Sequence, residues 1–288
     1  MGQTLKVTGI QMGTYTGDYD SNMEMAVKTL DKAVNDFKPD IVCFSEVMTG
    51  PYFGCTYNDK YFGFAEPVPG KTTKILGEAA RKHGIYVIGT VFEKAGKKYY
   101  SSAFVMDPTG KLITNYRKIH IGKSGDRKLH PTDEVYYFSP GNRDFPIFEV
   151  KGIKVGLLIC FDRSFPESFR VLMLKGAQVV FAPVATFGAR KDAFWDELKV
   201  RGMENHIFIV AVNKAGDEIC EGEENMRHHF GRSCIIDPGG ELIASLEDEP
   251  FGILTGTVDM SVMDLWRTII DWRPVRRPRF YKIITKSL

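Results

Sequence analysis

Three residues with different reactive groups stand at or just after the ends of predicted strands. Glu46 ends the segment IVCFSE, Lys118 ends KLITNYRK, and Cys160 ends VGLLIC. A thiol, a carboxylate and an ammonium group can together perform acyl transfer: the thiol attacks a carbonyl carbon, the carboxylate moves the proton, and the ammonium stabilises the oxyanion. The pattern therefore predicts that Glu46, Lys118 and Cys160 meet in one cleft as catalytic residues.

The segment 151–170, KGIKVGLLICFDRSFPESFR, predicts a strand that leads directly into a helix. Its apolar run 155–159 is typical of a strand buried on both faces. The following SFPE has the spacing of a capping box with proline near the first helical position, which predicts a helix at about 166–175. Cys160 then lies in the tight turn, where the helix dipole would favour its thiolate. A small buried thiol without reactivity is the alternative.

Other kinds of site have weaker support. A glutamate after a strand, or a lysine in YRKIH, is often only a solvated charge, so the shared position at strand ends is what favours a chemical role. None of the six histidines lies in a cysteine-protease signature, and the adjacent His228 and His229 would point apart on a strand or helix. HExxH spacing is absent, and no GxGxxG follows a predicted strand. We expect no metal and no cofactor.

The composition is that of a globular protein, since 43% of the 288 residues are hydrophobic and 26% are charged. The net charge of +2 gives no indication of nucleic acid or an anionic membrane as partner. The five cysteines are odd in number and form no CxxC pair, which favours a reducing, cytoplasmic location. Neither a signal peptide nor an apolar run long enough to span a bilayer is evident. We expect a small-molecule substrate.

Strands and helices alternate along the chain, which predicts the α/β class. The segments 103–114 (AFVMDPTGKLIT) and 233–244 (SCIIDPGGELIA) match nearly position for position, and each follows the same order of strands and helices. We therefore expect two equivalent halves related by a pseudo-twofold, with two sheets packed face to face and helices outside. The long segment 121–144 carries several aromatic residues and is predicted to be ordered and functional.

The chain resembles the nitrilase (carbon–nitrogen hydrolase) superfamily over nearly its whole length. The resemblance rests on FSEV around Glu46, YRKIH around Lys118 and GLLICFDRSFPE around Cys160, in the order Glu, Lys, Cys. It implies a four-layer α-β-β-α sandwich with two mixed sheets, in which Glu46 is the general base, Lys118 stabilises the oxyanion and Cys160 is the nucleophile. In the segment EVYYFSPG it implies that Glu134 is a second glutamate, which positions Lys118 and the substrate.

The residues after the nucleophile, CFDRSFPE, resemble those of N-carbamoyl-amino-acid amidohydrolases. The resemblance implies that Arg163 binds the substrate carboxylate, and an ion pair with Asp162 or Glu167 is the alternative role. The chain departs from the D-carbamoylase pattern at Ser164, where a second arginine is expected. It departs again just before Thr186, where alanine stands in place of asparagine.

The backbone N–H of Phe161 is expected to share the oxyanion with Lys118, and Phe161, Thr186 and His120 are expected to contribute to the substrate site. The favoured reaction is hydrolysis of an N-carbamoyl (ureido) amino acid to the amino acid, carbon dioxide and ammonia through a thioester-type intermediate. An aliphatic amidase, ω-amidase or nitrilase with the same triad is the alternative within the superfamily. A redox-sensing thiol on a binding scaffold is disfavoured, because Glu46 and Lys118 would have no reason to converge on it.

The resemblance also implies a homodimer or a higher homo-oligomer that pairs through the helices next to the nucleophile, here 165–175 and 193–205. The chain is predicted to form a single hydrolase domain over 1–265 and a C-terminal tail over 266–288. The tail is basic and rich in aromatic residues, so it is expected to pack on a partner subunit. Its two prolines are expected to exclude a regular helix.

Overall fold

The computed structural model describes residues 2–126, 132–224 and 226–286. Strands and helices alternate through both halves of the chain. The first half contains β1 (Thr4–Gln11), α1 (Tyr19–Phe37), β2 (Ile41–Phe44), α2 (Lys71–His83), β3 (Tyr86–Ala95), β4 (Lys98–Met106) and β5 (Leu112–Arg117). The second half contains β6 (Ile147–Val150), β7 (Ile153–Leu157), α3 (Pro166–Leu174), β8 (Val179–Pro183), α4 (Ala193–Asn205), β9 (Phe208–Val212), β10 (Ala215–Glu218), β11 (Arg227–Phe230), β12 (Cys234–Ile236), β13 (Leu242–Ser245), β14 (Gly252–Asp259), α5 (Met260–Ile269) and α6 (Trp272–Val275).

The strands form two six-stranded sheets of equivalent order, β14-β1-β2-β3-β4-β5 and β13-β12-β9-β8-β7-β6, and β10 pairs separately with β11. The strands β1-β2-β3 and β7-β8-β9 are parallel, and an antiparallel hairpin extends each set on one side. An antiparallel strand, β14 or β6, completes each sheet on the other side. The pairing register shifts in both hairpins, between Val105 and Met106 and between Ile235 and Ile236. The prediction of two mixed sheets in a repeated arrangement is confirmed.

Apolar side chains fill the space between the sheets and the space under the helices, which gives the four predicted layers. The strands β2, β8 and β9 are buried along their whole length, as expected for apolar strands covered on both faces. On the outside of the first sheet, Leu30 of α1 and Leu76 of α2 share a cluster with Val42. On the outside of the second sheet, Phe169 of α3 and Phe194 of α4 belong to the cluster that continues between the sheets.

Two contacts bring the sheets close together near the ends of their parallel strands. A Cβ atom on Gly9 in β1 would lie 2.6 Å from Cγ2 of Val212, so this approach requires glycine. Just beyond β2, the backbone N–H of Glu46 donates to the carbonyl of Val184, just beyond β8, with an N···O distance of 3.2 Å. The loops that follow β2 and β8 therefore lie side by side.

The C-terminal segment is more helical than its prolines predict. Helix α5 continues to Ile269, across the predicted boundary between residues 265 and 266, and Pro274 is the third residue of α6. The expectation that Pro274 and Pro278 exclude regular helix from the tail was therefore wrong, because a proline in a first helical turn lacks only an N–H that has no intrahelical acceptor there. No helix in the described part of the chain has the length and apolar character needed to cross a membrane.

Candidate active site

The turn after β7 holds Cys160 in an unusual backbone conformation. The strand ends at Leu157, and Cys160 begins a short 3-10 helix (Cys160–Ser164) that leads into α3 at Pro166. Cys160 has a φ of 44°, in the left-handed region that non-glycine residues rarely adopt. Such strain persists only where the surroundings fix it and is common at functional sites.

Asp162 fixes this turn. Its buried Oδ2 accepts hydrogen bonds from the backbone N–H of Ile159 at 3.1 Å and from the hydroxyl of Tyr116 at 2.7 Å. Its Oδ1 accepts the backbone N–H of His120 at 3.0 Å and lies 2.7 Å from Nδ1 of the same residue. Because His120 is two positions after Lys118, Asp162 ties the turn of the thiol to the segment that carries the lysine.

Lys118 lies between two glutamates beside a cavity. Its Nζ is 3.0 Å from Oε1 of Glu46 and 2.6 Å from Oε1 of Glu134, and all three side chains are almost completely buried. Cys160 lines the same cavity as Lys118 and Glu134 and lies close enough to Glu46 for that carboxylate to affect its ionisation. The structure therefore brings together the four residues that the sequence predicts to be catalytic.

Further hydrogen bonds hold the two glutamates in place. The hydroxyl of Ser101 donates to Oε1 of Glu46 at 2.9 Å, and the hydroxyl of Tyr52 donates to Oε1 of Glu134 at 2.8 Å. Oε2 of Glu134 accepts the backbone N–H of Gly122 at 2.7 Å. Among the described residues, Oε2 of Glu46 is buried without a well-aligned hydrogen bond. Glu46 thus retains one acceptor oxygen that can take a proton.

Burial dominates the ionisation of this cluster. It raises the pKa of Cys160 to about 12, and the negative charge of Glu46 adds to that increase while Lys118 opposes it. Burial and Glu46 therefore act against the thiolate that the helix terminus was expected to favour. Burial also raises the pKa of Glu46, although Lys118 opposes the change. Burial lowers the pKa of Lys118, but the charges of Glu134 and Glu46 outweigh it and place that pKa well above its usual value.

The cavity beside this cluster has a volume of about 300 Å³. Of the four residues expected to bind substrate, Phe161, Thr186 and Arg163 line it. His120 does not line it, because it is bonded to Asp162 and its ring stacks on Phe165 with centroids 3.6 Å apart. Within the described residues, no group of three or more His, Cys, Asp or Glu side chains could hold a metal ion. The described lining comprises Tyr52, Lys118, Gly122, Lys123, Ser124, Thr132, Glu134, Cys160, Phe161, Arg163, Ala185, Thr186, Phe187, Ala189 and Arg190.

Arg163 is bound mainly to the protein itself. Its Nη1 donates to the carbonyl of Cys160 at 3.1 Å, and its Nε lies 3.4 Å from Oε2 of Glu197 on α4. The ion-pair role considered for Arg163 is therefore present, but its partner is Glu197 rather than Asp162 or Glu167. Its side chain is only 3% exposed, so Arg163 joins the turn of the thiol to α4.

Residues from a distant part of the chain support the site and are missed by the sequence analysis. The backbone N–H of Tyr52 donates to Oε2 of Glu218 at 2.9 Å, across 166 positions. Glu218 is paired with Lys214 at 2.7 Å, and Lys214 donates to the carbonyl of Gly50 at 2.8 Å. No local motif marks Tyr52, because its position depends on Glu218, the last residue of the separate strand β10.

If Lys118 stabilises the oxyanion as the sequence predicts, replacing it with methionine should lower kcat by about 10²–10³, because the oxyanion loses its cation. It should also lower the free energy of unfolding by about 3–5 kcal/mol, because Glu46 and Glu134 would be left buried beside each other without a counter-charge. Steady-state hydrolysis and chemical denaturation measure the two effects.

The matched control for this change is Arg117→Met, which removes a buried cation that pairs with Glu93 at 2.6 Å and does not line the described cavity. It should lower the free energy of unfolding by a similar amount but should lower kcat much less than Lys118→Met does. Equal losses of kcat in both variants would show that lost stability, rather than a missing oxyanion partner, explains the effect.

Comparison with known proteins identifies the family. The carbon–nitrogen hydrolase profile matches residues 6–268. The N-carbamoylputrescine amidase of Solanum lycopersicum is 31% identical over 93% of this chain and 91% of its own length. The beta-ureidopropionase of Arabidopsis thaliana is 27% identical over 84% of this chain and 62% of its own length. The crystal structure of a carbon-nitrogen hydrolase from Helicobacter pylori G27 superposes with a TM-score of 0.90 at 25% identity and covers 99% of both chains.

These similarities argue against the alternative of a redox-sensing scaffold. The raised pKa of the Cys160 thiol disfavours it as well. The chain belongs to the carbon–nitrogen hydrolase family of the nitrilase superfamily, and it is an enzyme that cleaves carbon–nitrogen bonds in amides or ureido compounds.

Proposed function

We propose that this enzyme hydrolyses an N-carbamoyl amino acid to the free amino acid, carbon dioxide and ammonia. The supporting observation is a group of basic side chains in the cavity lining beside the thiol. Arg163 and Arg190 both line the cavity and share one carboxylate, that of Glu197. Lys123 also lines the cavity, whereas Lys118 is shared between Glu134 and Glu46. A substrate carboxylate could bind Arg163 or Arg190, since guanidinium groups bind carboxylates strongly.

The reaction would proceed through a covalent intermediate. Glu46 takes the proton of Cys160, and the thiolate attacks the ureido carbonyl carbon. Lys118 and the backbone N–H of Phe161, a first-turn N–H without an intrahelical acceptor, stabilise the oxyanion. Ammonia leaves with the proton from Glu46, and a thioester-type carbamoyl adduct remains on the sulfur. Glu46 then takes a proton from the water that attacks this adduct, and it returns this proton to the sulfur as the carbon–sulfur bond breaks. The released carbamate decomposes to carbon dioxide and the amino acid.

Two other substrate types follow from the named relatives. An N-carbamoyl amine, as in the name of the tomato relative, would place its ammonium group near Arg163 and Arg190, which Coulomb repulsion disfavours. An ω-amide that carries a carboxylate would bind the two arginines as well as a ureido acid, and the omega-amidase NIT2-B of Xenopus laevis is 29% identical over 92% of this chain. The ω-amide therefore stays the second candidate.

A panel of substrates that differ in charge tests the proposal. N-carbamoyl-β-alanine should have a kcat/KM at least roughly tenfold above neutral propylurea, since a charge-assisted hydrogen bond contributes about 1.5–3 kcal/mol. Cationic 3-aminopropylurea should be the poorest of the three. Ammonia and carbon dioxide should be released in equal amounts, with the Cys160→Ala protein as the blank.

Two results of this panel would contradict the proposal. Faster turnover of propylurea or 3-aminopropylurea would show that the cavity does not select a carboxylate. Faster turnover of succinamate, with ammonia but no carbon dioxide, would assign the enzyme to the ω-amide alternative.

The homodimer and the cytoplasmic location stay predictions. Support for the homodimer comes from exposed apolar side chains on α3, α4 and the C-terminal tail, including Leu174 at 50%, Met203 at 45% and Phe280 at 69% exposure. The five cysteines are all free, which supports a reducing compartment.

A further inference from the structure

Arg190 combines exposure with a fixed position on the cavity wall. It ends a short 3-10 helix (Gly188–Arg190) in the loop after β8. Its Nη2 donates to Oγ of Ser164 at 3.1 Å and to Oε2 of Glu197 at 2.9 Å. The side chain is nevertheless 40% exposed, so its position is fixed at one nitrogen while much of its surface remains open.

The two arginines differ in what they could offer a ligand. In Arg163, the contacts to the Cys160 carbonyl and to Glu197 involve Nη1 and Nε, and the side chain is almost completely enclosed. In Arg190, both hydrogen bonds use Nη2, and no described residue accepts a hydrogen bond from Nη1 or Nε. A guanidinium group has five N–H donors, so both arginines retain unused donors, but only those of Arg190 belong to a side chain that is 40% exposed, against 3% for Arg163.

The local charge balance points the same way. Glu197 is one carboxylate between two guanidinium groups, so the group of three carries a net positive charge beside the cavity. Solvent reaches the exposed part of Arg190, and an anionic ligand could balance the charge there in place of solvent. Because Arg190 is the more exposed partner, an incoming anion can reach it without displacing the contact between Arg163 and the turn of the thiol.

We infer that Arg190, rather than Arg163, binds the substrate carboxylate and sets the preference for it, with Glu197 and Ser164 orienting its guanidinium group. Arg163 is a positioning residue that holds the carbonyl of Cys160. This inference rests on the proposed function, since it identifies the partner of the carboxylate of a ureido acid. The sequence does not reveal it, because Arg190 lies 30 positions after Cys160 and outside the motif around it.

Paired substitutions separate the two arginines. Arg190→Gln should lower kcat/KM for N-carbamoyl-β-alanine by roughly 10- to 100-fold, mainly through KM, and should hardly change it for propylurea. Arg163→Gln should lower kcat for both substrates to a similar extent, because it releases the backbone of the nucleophile. Arg201→Gln is the control, since Arg201 pairs with Glu204 on α4 and is not among the described lining residues. It should change kcat/KM for neither substrate.

A charge reversal gives a second, positive readout. Arg190→Glu should raise the ratio of kcat/KM for 3-aminopropylurea to that for N-carbamoyl-β-alanine above the wild-type ratio, because the ammonium group would then face a carboxylate. Thermal denaturation of each variant checks that the protein is folded; Arg190 is exposed enough for its loss to be tolerated.

The failure of this inference and that of the proposed function are distinguishable. If the wild-type enzyme prefers propylurea, the proposed function is wrong and the inference falls with it. If the wild type prefers N-carbamoyl-β-alanine but Arg190→Gln lowers kcat/KM equally for both substrates, only the inference is wrong. A selective increase in KM for the ureido acid in Arg163→Gln would assign the carboxylate to Arg163 instead.

Discussion

Replacing Cys160 with alanine is expected to abolish turnover of every amide and ureido substrate while the protein remains folded. In the proposed mechanism the sulfur forms the bond to the substrate carbon, and Glu46 and Lys118 have no function in acyl transfer without it. The change removes one sulfur atom from a turn that Asp162 holds through four contacts, so the turn should persist. Ammonia release and thermal denaturation measure activity and folding.

Cys234→Ala is the matched control for the loss of a buried thiol. Cys234 lies in β12, and burial raises its pKa to about 12, as it does for Cys160. Cys234 is not in the described cavity lining, so its replacement should leave kcat nearly unchanged. Residual turnover in purified Cys160→Ala protein above the level of a blank would refute the nucleophile assignment.

Replacing Glu46 with glutamine should lower kcat/KM by about 10²–10⁴, the usual contribution of a general base. The effect is large here because the pKa of Cys160 is raised to about 12, so almost no thiolate exists at neutral pH without a base. Glutamine keeps the size of the side chain and can still accept the hydroxyl of Ser101. The loss should therefore appear in the chemical step rather than in folding.

The pH dependence of kcat/KM tests more specifically whether Glu46 is the general base. The carboxylate must be ionised to accept the proton, so kcat/KM should fall as the pH falls through its pKa. Because burial raises that pKa, the fall should begin above the ordinary glutamate value of about 4.3. In Glu46→Gln the remaining activity should no longer show this acid limb. An unchanged acid limb in the variant would show that this limb reports the ionisation of another group.

Glu93→Gln is the control for loss of a buried carboxylate. Glu93 is almost completely buried and pairs with Arg117 at 2.6 Å, but it does not line the described cavity. Its replacement should lower the free energy of unfolding and leave both kcat/KM and the acid limb in the folded protein near wild type.

The features that the sequence predicts well are those encoded by neighbouring residues. The apolar strand before Cys160 and the SFPE at the start of α3 specify the strand-turn-helix locally. The repeated hairpins at 103–114 and 233–244 indicate two equivalent sheets. The same Asp-Pro turn and strand pattern occurs in both segments, and one hairpin lies in each sheet. Strand ends then place the glutamate, the lysine and the thiol on one side of the fold.

The features that cannot be predicted from the sequence depend on burial and on contacts between distant residues. The raised pKa of Cys160 depends on how completely the turn is enclosed, which no motif reports. The partner of Arg163 is Glu197, 34 positions away, rather than an acid within its own motif. Tyr52 is positioned by Glu218 on the short strand β10, which the sequence analysis does not identify. Side-chain pairing of this kind becomes visible only when the loops are placed in space.

The hydrogen bond from Glu46 to the carbonyl of Val184 crosses from one repeat to the other. The first repeat carries Glu46 and Lys118, and the second carries Cys160, so neither repeat alone holds the complete set of proposed reacting groups. In the proposed mechanism, bond cleavage consequently requires correct docking of the two repeats, and a substitution that loosens their contact should lower kcat even when it lies far from the thiol.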